Sequence, residues 1–505
     1  PLVTQVHHHQ TMRKPETPDW VKNAVFYQIF PDRFARSKRL KHPASLRFKP
    51  WGSPPAEQGY QGGDLLGVVD RLDHLQQVGV TALYLNPIFS SASNHRYHTF
   101  DYYQVDPLLG GNDALRELID VAHAKGMRVI LDGVFNHASR GFWPFHHILE
   151  NGPSSPYIDW FVVKNWPLNP YPRAVGEPLN YEAWWNLPAL PCLNTRNLDV
   201  QEYIFSVATH WLEFGIDGWR LDVPAEIDDD VFWQTFRKRV RAVNPEAYIC
   251  GEIWEDARRW LKGDQFDAVM NYIFTWAVLS FCGAETLRPD YNRNHLSLEP
   301  RDAPAFAEAI EAMHGLYDWE INQAQLNLIG SHDMARPLWI VGDDPSAIRL
   351  SAFLQMTMPG APCIYYGDEI GLSAGDDPDC RGAFPWDERK RWNRDILEAY
   401  TRLCALRHQW PVLRTGTFEQ VLASGRVYGF RRRLDGVEAL VFINTGRERV
   451  VAELPLDNRA PVQYRCVWPA DVADIDVTQP RGELSVVLPE REGVVLITST
   501  DRSRA

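Results

Sequence analysis

The chain has 505 residues, of which 45% are hydrophobic and 23% are charged, and its formal net charge at pH 7 is −13. This length predicts two or three domains, and the composition is ordinary for a globular protein. The acidic balance argues against a nucleic-acid partner, which would favour a basic face. The sequence contains no run of 18 or more apolar residues, so it predicts no membrane span.

The N-terminal residues 1–17 are predicted to be a flexible leader that includes His7, His8 and His9. They show no apolar signal segment, and we expect a cytoplasmic location. Seven cysteines are scattered along the chain without CxxC spacing. They predict neither a disulfide framework nor a zinc site.

From residue 18 onward, apolar runs typical of strands alternate with segments of helical spacing. The strand runs are 24–30, 81–87, 127–135, 218–223, 247–254, 268–273, 325–330 and 362–367. The helical segments are 65–78, 112–125, 200–214, 230–244 and 395–408. Eight strands separated by helices predict an α/β fold, the (β/α)8 or TIM barrel.

The alternation is interrupted once and stops before the C-terminus. Residues 138–190 are rich in Pro, Trp, Tyr and Asn without a sustained period, which predicts a loop-rich subdomain inserted after the third strand. After about Trp410 the pattern changes to short strand-like runs, which predict an antiparallel β-sandwich. The predicted division is barrel 18–137, insert 138–190, barrel 191–411 and sandwich 412–505.

Two charged residues interrupt the apolar strand at 218–223. Arg220 and Asp222 stand two residues apart, so their side chains point to the same face of the strand. An adjacent arginine predicts that Asp222 is ionised with a lowered pKa, as a carboxylate nucleophile requires. A structural ion pair within the sheet explains these six residues equally well.

Further polar groups follow other strand runs, which raises the weight of the catalytic interpretation. Glu252 lies one strand–helix–strand unit after Asp222, beside Trp254. Asp132 and the sequence Ser331-His332-Asp333 follow two more strands. Active sites of barrels lie at the carboxyl ends of the strands. An ionised carboxylate and a protonated one at this position suit the cleavage of glycosidic bonds.

Four motifs carry a resemblance to a known family. They are DGVFNH at 132–137, GWRLDV at 218–223, GEIW at 251–254 and GSHD at 330–333. With them the chain resembles the α-amylase superfamily, glycoside hydrolase family 13. Three further stretches resemble the group of neopullulanase, cyclomaltodextrinase and maltogenic amylase, namely LPCLN at 190–194, GDQFDAVMNY at 263–272 and DPDCRGAFPW at 377–386.

The resemblance implies a role for each candidate residue in a retaining mechanism. Asp222 would be the nucleophile, Glu252 the general acid and base, and Asp333 would hold the hydroxyls of the sugar. Glu226 would lie toward the leaving group, while Asp377 and Arg381 would reach sugars toward the non-reducing end. The remaining residues would surround the sugar at the cleavage point: Tyr97, His95, Asp132, His137, Arg220 and His332. For Asp132, a purely structural role that ties Arg220 in place stays an alternative.

Three departures from the family pattern modify these expectations. The N-terminal β-domain that builds dimers in relatives is not found, so we expect a monomer or a dimer built in another way. The loop after Phe34 is basic where many relatives bind calcium, so we expect no metal or other cofactor. His98 and Pro224-Ala225 replace residues that are common near the leaving group in relatives.

The expected activity is hydrolysis of α-1,4-glucosidic bonds in cyclodextrins, maltodextrins, pullulan or starch, with some transglycosylation, and cleavage of α-1,6 bonds stays open. A 4-α-glucanotransferase on the same scaffold is the alternative. A non-catalytic carbohydrate-binding or transport-accessory protein is a remote third, because all three acids are present. The expected partner is an α-glucan, with neither nucleic acid nor a membrane.

Overall fold

The computed structural model describes residues 14–294, 296–456, 463–469, 477–478 and 482–499. Most of the predicted leader lies outside these ranges, but its last residues are held against the barrel. Thr17 Oγ1 donates to Glu320 Oε1 at 2.9 Å, and the carbonyl of Glu16 accepts from Arg237 Nη2 at 2.9 Å. The chain is therefore anchored before residue 18.

Eight parallel strands form the predicted barrel. Each strand pairs with its neighbours in chain order, the last pairs with the first, and a bridge between Met270 and Leu326 joins the sixth to the seventh. The strands are Phe26–Ile29, Ala82–Leu85, Arg128–Gly133, Gly218–Leu221, Tyr248–Gly251, Ala268–Val269, Leu326–Leu328 and Ala361–Tyr365. The predicted fold is confirmed.

The barrel strands are apolar because helices cover their outer face and side chains fill their interior. The fourth strand shows this, since Trp219 and Leu221 are fully buried. Arg220 on the same strand is fully buried as well, which is unusual for a cation and requires partners.

The helices that surround the barrel begin at polar caps in several cases, such as Asn197 and Asp229, whose side chains accept from backbone N–H groups. The longer helices are Gly111–Ala124, Trp143–Asn151, Leu198–Phe214, Asp230–Val243, Tyr272–Gly283, Ala303–Gly315, Pro345–Thr357 and Arg394–Gln409. The shorter ones are Asp19–Lys22, Pro31–Phe34, Leu65–Asp70, Leu72–Val78, Trp319–Ala324, Pro337–Ile340 and Pro411–Thr415. Within the described ranges, no helix is both long and apolar enough to cross a membrane.

Two element predictions differ from the structure. The helical segment at 65–78 is two helices that meet at Arg71. The strand expected at 268–273 ends at Val269, and a helix begins at Tyr272. That helix is apolar on every side, so its sequence has no period by which a buried helix could be told from a strand.

The segment at 138–190 has little regular structure. It contains the helix Trp143–Asn151 and is otherwise held by isolated bridges, among them Val163 with Tyr181 and Ala183 with Pro191. Two short hairpins also border the carboxyl end of the barrel. One pairs Phe89–Ser91 with Thr99–Val105, and the other pairs Asn292–Arg293 with Leu296–Ser297.

The C-terminal region forms two antiparallel sheets, as predicted. The five-stranded sheet contains Glu419–Ser424, Val427–Leu434, Val437–Asn444, Arg465–Trp468 and Glu492–Ser499. The three-stranded sheet contains Val450–Pro455, Val477–Thr478 and Glu483–Leu488. Apolar side chains from both sheets, such as Leu440 and Val486, form one core between them.

Candidate active site

The carboxyl ends of the barrel strands surround a cleft of about 630 Å³. Asp222 and Glu252 directly follow the fourth and fifth strands, and Asp333 lies shortly after the seventh. All three acids line the cleft, together with side chains from the insert and from the hairpin near residue 293. The sequence prediction that these strand ends come together is thus confirmed in geometry.

Arg220 lies beneath the cleft and contacts three carboxylates. Its Nη1 donates to Asp132 Oδ1 at 2.9 Å and to Asp222 Oδ1 at 3.1 Å. Its Nη2 lies 3.4 Å from Glu252 Oε2. The side chains of Arg220 and Asp132 are fully buried, so Asp132 orients Arg220 from behind and does not face the cleft. One fixed cation therefore orients both candidate catalytic acids.

One guanidinium does not neutralise three buried carboxylates, and this raises the pKa values of the acids. Burial, followed by the charge of Glu252, raises the pKa of Asp222 well above its usual range, although Arg220 opposes the shift. Burial also raises the pKa of Glu252. The expectation of a lowered pKa for Asp222 is wrong, because the sequence shows the arginine but neither the burial nor the competing acids.

Glu252 is held by two hydrogen bonds. Its Oε1 accepts from the backbone N–H of Val223 at 3.1 Å, and its Oε2 accepts from Trp254 Nε1 at 3.2 Å. Val223 adopts φ of 36°, which strains a β-branched residue by about 1–3 kcal/mol. This strained turn directs the Val223 N–H to Glu252. The ring of Trp254 stacks on Tyr272 with centroids 3.5 Å apart, which fixes the indole donor.

Asp333 has a more cationic environment than the other two acids. Its Oδ1 accepts from Arg381 Nη2 at 3.3 Å, and its Oδ2 lies 3.2 Å from His332 Nε2. Burial acts to raise the pKa of Asp333, but the charge of Arg381 opposes burial, and the pKa lies below its usual value. Asp333 is therefore the acid of this site that stays ionised most readily.

A buried chain of hydrogen bonds assigns the tautomer of His332. Gln28 Nε2 donates to Asn86 Oδ1 at 3.0 Å and lies 2.8 Å from His332 Nδ1, so this ring nitrogen accepts. His332 Nε2 therefore carries the proton and donates to the Tyr97 hydroxyl at 2.7 Å. Tyr97 in turn donates to Asp132 Oδ2 at 2.6 Å. Burial lowers the pKa of His332 to about 3, which keeps the ring neutral.

Two further histidines named from the sequence line the cleft. His95 Nδ1 accepts from the backbone N–H of Tyr97 at 3.1 Å, which leaves Nε2 as its N–H donor. Burial, followed by the charge of His98, lowers the pKa of His95 well below its usual range. Burial lowers the pKa of His137 to about 3. Both rings are neutral at pH 7, so they offer hydrogen bonds without charge.

An aromatic stack from the insert continues from His137. Trp184 stacks on His137 with centroids 5.2 Å apart, and Trp185 stacks on Trp184 with centroids 4.9 Å apart. Both tryptophans line the cleft, and Trp185 is 74% exposed. The exposed indole of Trp185 at the cleft favours a platform for a sugar ring over a packing role. Trp386, by contrast, is buried and stacks on Phe384 outside the cleft lining.

Arg293 is a residue of this site that the sequence analysis missed. It lines the cleft, and its Nη2 donates to Asp377 Oδ2 at 2.8 Å. Asp377 also lies 4.0 Å from Arg381 Nη2, so the two residues predicted to contact distant sugars are joined by ion pairs. Glu226 is exposed and lines the cleft, as its predicted position requires. Arg293 lies in a short hairpin outside every motif, and no sequence signal marks it.

Two acids beside the basic loop that follows the first strand, Asp32 and Asp64, accept hydrogen bonds from N–H groups of the protein. Asp32 accepts from the side chain of Arg33 at 2.8 Å and from the backbone of Gln61 at 3.0 Å. Asp64 accepts from the backbone of Gly67 at 2.6 Å and of Ser37 at 3.1 Å. Among the described residues, no group of three or more His, Cys, Asp or Glu side chains is arranged to hold a metal ion.

Comparison with known proteins gives concordant matches. The family described as "Alpha amylase, catalytic domain" matches residues 28–393. A cyclomaltodextrinase of Geobacillus thermopakistaniensis is 43% identical over 448 residues, which cover 88% of this chain and 72% of that protein. Neopullulanase 2 of Thermoactinomyces vulgaris is 39% identical over 483 residues, which cover 95% of this chain and 78% of that protein. The crystal structure of the debranching enzyme from Nostoc punctiforme has a TM-score of 0.86 at 46% identity, covering 96% of this chain and 100% of that one.

The protein is a (β/α)8 barrel whose cleft holds two acids bound by one arginine and a third acid nearby. This arrangement is typical of glycoside hydrolases. The family match and the relatives identify which family of glycoside hydrolases this is. The chain belongs to the α-amylase family and is a hydrolase of that family.

Proposed function

We propose that the protein hydrolyses α-1,4-glucosidic bonds, and also α-1,6 bonds, in cyclodextrins, maltodextrins, pullulan or starch, with net retention at the anomeric carbon. The observation that carries the proposal is the contact of Arg220 with both Asp222 and Glu252 at adjacent strand ends. The relatives, which include a cyclomaltodextrinase, a neopullulanase and a debranching enzyme, support both linkages.

In the first step, Asp222 attacks the anomeric carbon and the bond to the leaving sugar breaks. Glu252 donates its proton to the departing glycosidic oxygen, so that the leaving group departs as a neutral alcohol. The raised pKa of Glu252 supports the acid role, because the shift favours the protonated form of the carboxyl. The hydrogen bond from Arg220 favours the ionised form of Asp222 and opposes burial and the charge of Glu252, which raise its pKa.

In the second step, Glu252, now a carboxylate, takes a proton from water as the water oxygen attacks the anomeric carbon of the glucosyl ester. The ester bond to Asp222 breaks and the sugar leaves with its original anomeric configuration. A sugar hydroxyl in place of water gives transglycosylation by the same step. The 4-α-glucanotransferase alternative therefore differs in acceptor and not in chemistry.

The remaining polar residues would position the sugar at the cleavage point. Asp333, ionised between His332 and Arg381, would accept hydrogen bonds from sugar hydroxyls. His95 and His137 would offer neutral donors, and Arg293 would extend the polar wall beside Asp377. Asp132 would act only through Arg220 and Tyr97, which it holds in place.

The location in the cell is part of the proposal. All seven cysteines are free thiols, and five of them are buried. Free thiols of this kind fit the reducing cytoplasm.

The test is the release of reducing ends from β-cyclodextrin, pullulan and soluble starch, measured side by side with product chromatography. We expect release from cyclodextrin and starch by the wild type, and none by Asp222→Asn. Longer oligomers formed from maltotriose would indicate the transferase alternative. A folded wild-type protein that released no reducing ends from any of the three substrates would refute the proposal.

A further inference from the structure

A second cavity opens beside the loop that follows the first barrel strand. It has a volume of about 560 Å³ and shares no lining residue with the catalytic cleft. Side chains from residues 36–51 form one side, and Arg71, Trp386 and Asp387 form the other. The volume is within the range of small-molecule sites in proteins.

The cavity is cationic, although the chain as a whole is acidic. Arg36, Lys38, Lys41 and Arg71 line it, against the single carboxylate of Asp387 among its lining residues. In the described part of the chain, Arg36, Lys38 and Lys41 form no ion pair, although their neighbour Arg39 is paired with Glu117 at 2.6 Å. This excess of positive charge predicts an anionic ligand.

Asp64, an acid near Arg36 but outside the lining, does not compensate these cations. Asp64 is close enough to Arg36 to be influenced by its charge. Its carboxylate, however, accepts from the backbone of Gly67 and Ser37 and caps the helix Leu65–Asp70. Asp64 is therefore bound to the protein backbone and leaves the arginine side chain available.

The two arginines are held in place by aromatic rings. The guanidinium of Arg36 lies 5.0 Å from the ring centroid of Phe48, and that of Arg71 lies 4.1 Å from the centroid of Trp386. Trp386 is itself fixed by a hydrogen bond from its indole to the carbonyl of Phe34 at 2.6 Å. A stacked guanidinium keeps its N–H edge free, and that edge matches two oxygens of a phosphate group.

Apolar surface lies beside these cations. Trp51 is half-buried in the lining, and its indole donates to the carbonyl of Phe384 at 2.9 Å, which fixes the ring. Leu46, also in the lining, is 43% exposed. His42 contacts the edge of Phe48, and burial and the charge of Arg36 lower its pKa, so it adds a neutral polar group. An anion that also carries a sugar or a base would use this surface.

We propose that this cavity binds a small organic phosphate, either a sugar phosphate or a nucleoside monophosphate. Arg36 and Arg71 hold the phosphate oxygens, Lys38 and Lys41 add electrostatic attraction, and Trp51 contacts the ring of the ligand. The site is separate from the catalytic cleft and does not depend on the function proposed for that cleft.

Isothermal titration calorimetry on the full chain tests the proposal, with glucose 1-phosphate, adenosine monophosphate, inorganic phosphate and unphosphorylated glucose as probes. We expect both phosphate esters to bind and glucose not to bind. Arg36→Gln and Arg71→Gln should each weaken binding about tenfold or more, since each removes a charge-assisted contact. Arg39→Gln is the matched control, because it removes an arginine of the same loop that does not line the cavity, and it should leave binding unchanged.

Two further variants test whether positive charge in the cavity strengthens the binding of the phosphate compounds. Asp387→Asn should tighten binding, because it removes the one carboxylate of the lining. Lys38→Gln, at an exposed position, should weaken binding most at low ionic strength. A preference for glucose 1-phosphate or for adenosine monophosphate would identify the sugar phosphate or the nucleotide.

Three results would overturn the proposal. They are no heat from any phosphate compound at about 10 mM, binding that Arg36→Gln and Arg71→Gln leave unchanged, and glucose binding as tightly as its phosphate. Circular dichroism on each variant separates lost binding from lost folding.

Discussion

Arg220 Nη1 donates a 3.1 Å hydrogen bond to Asp222, and the same nitrogen also donates to Asp132. Because the donor is shared and a third carboxylate, Glu252, lies against the same guanidinium, Asp222 is well oriented but difficult to ionise. The arrangement favours a nucleophile that forms a neutral ester during the reaction, since that step relieves the crowding of negative charge.

The first prediction concerns catalysis. Asp222→Asn and Glu252→Gln should each lower kcat by about three orders of magnitude or more, because neither amide can attack as a nucleophile or exchange a proton. Initial rates on β-cyclodextrin measure the loss, and Asp264→Asn, at an exposed surface position, serves as control. If either variant kept about a tenth of wild-type activity or more, the role assigned to that residue would be wrong.

The second prediction is that Asp222→Asn stabilises the fold at pH 7. The pKa of Asp222 is raised in the folded protein, so between the unfolded and folded values the folded state binds more protons than the unfolded chain. Stability contributed by this group therefore falls as pH rises through that window, and the full penalty is present above it. Asparagine removes the penalty, so Tm at pH 7 should rise by about 1–3 °C.

The pH dependence of this difference is the decisive measurement. Melting curves of wild type and Asp222→Asn should converge as the pH falls toward about 4, the usual pKa of an unfolded aspartate. Asp264→Asn should show no comparable convergence, because its side chain lies at the surface. A Tm for Asp222→Asn that is lower than wild type at pH 7 would show that the lost Arg220 contact outweighs the relief of charge.

The sequence could identify the barrel and its acids, but not the balance of charge among them. Alternating periods predict eight strands, and polar residues at strand ends mark Asp222, Glu252 and Asp333. The pKa of Asp222 depends on how many carboxylates reach one guanidinium, which only folding determines. Arg293 shows the same limit, since its place in the cleft results from a hairpin that contacts the loop of Asp377.

The third prediction concerns stereochemistry. Retention requires that the carboxylate of Asp222 reach the anomeric carbon directly, which places the two catalytic carboxyls about 5–5.5 Å apart. We expect α-anomeric product to be released first, and proton NMR of the anomeric region at early times measures it before mutarotation. Initial release of β-product would indicate an inverting displacement by water and would remove the nucleophile role of Asp222.

The fourth prediction is that chelation does not destabilise the protein. The carboxylates of Asp32 and Asp64 in the loop after the first strand accept from N–H groups, which leaves fewer of their lone pairs for a cation. Tm should therefore be the same, within about 1 °C, with EDTA and with added calcium. A clear drop with EDTA that calcium reverses would reveal a site that involves other oxygen ligands.

The last prediction concerns the exposed indole of Trp185. It ends the stack that begins at His137 and passes through Trp184, and it holds φ of 51°, a strained conformation for a residue other than glycine. An apolar ring that is 74% exposed contributes little to the core, so strain and exposure together favour a binding role. Trp185→Ala should therefore raise KM for maltodextrins several-fold, change kcat less, and leave Tm almost unchanged.

Trp143→Ala is the matched control for Trp185→Ala. Trp143 also belongs to the insert and is 43% exposed, but it packs edge-on against Tyr157 and does not line the cleft. Its loss should lower Tm and leave KM unchanged, which is the reverse of the pattern expected for Trp185. If Trp185→Ala instead lowered Tm with KM unaltered, the indole would serve to pack the insert, and the cleft would bind its glucan without an aromatic platform on that side.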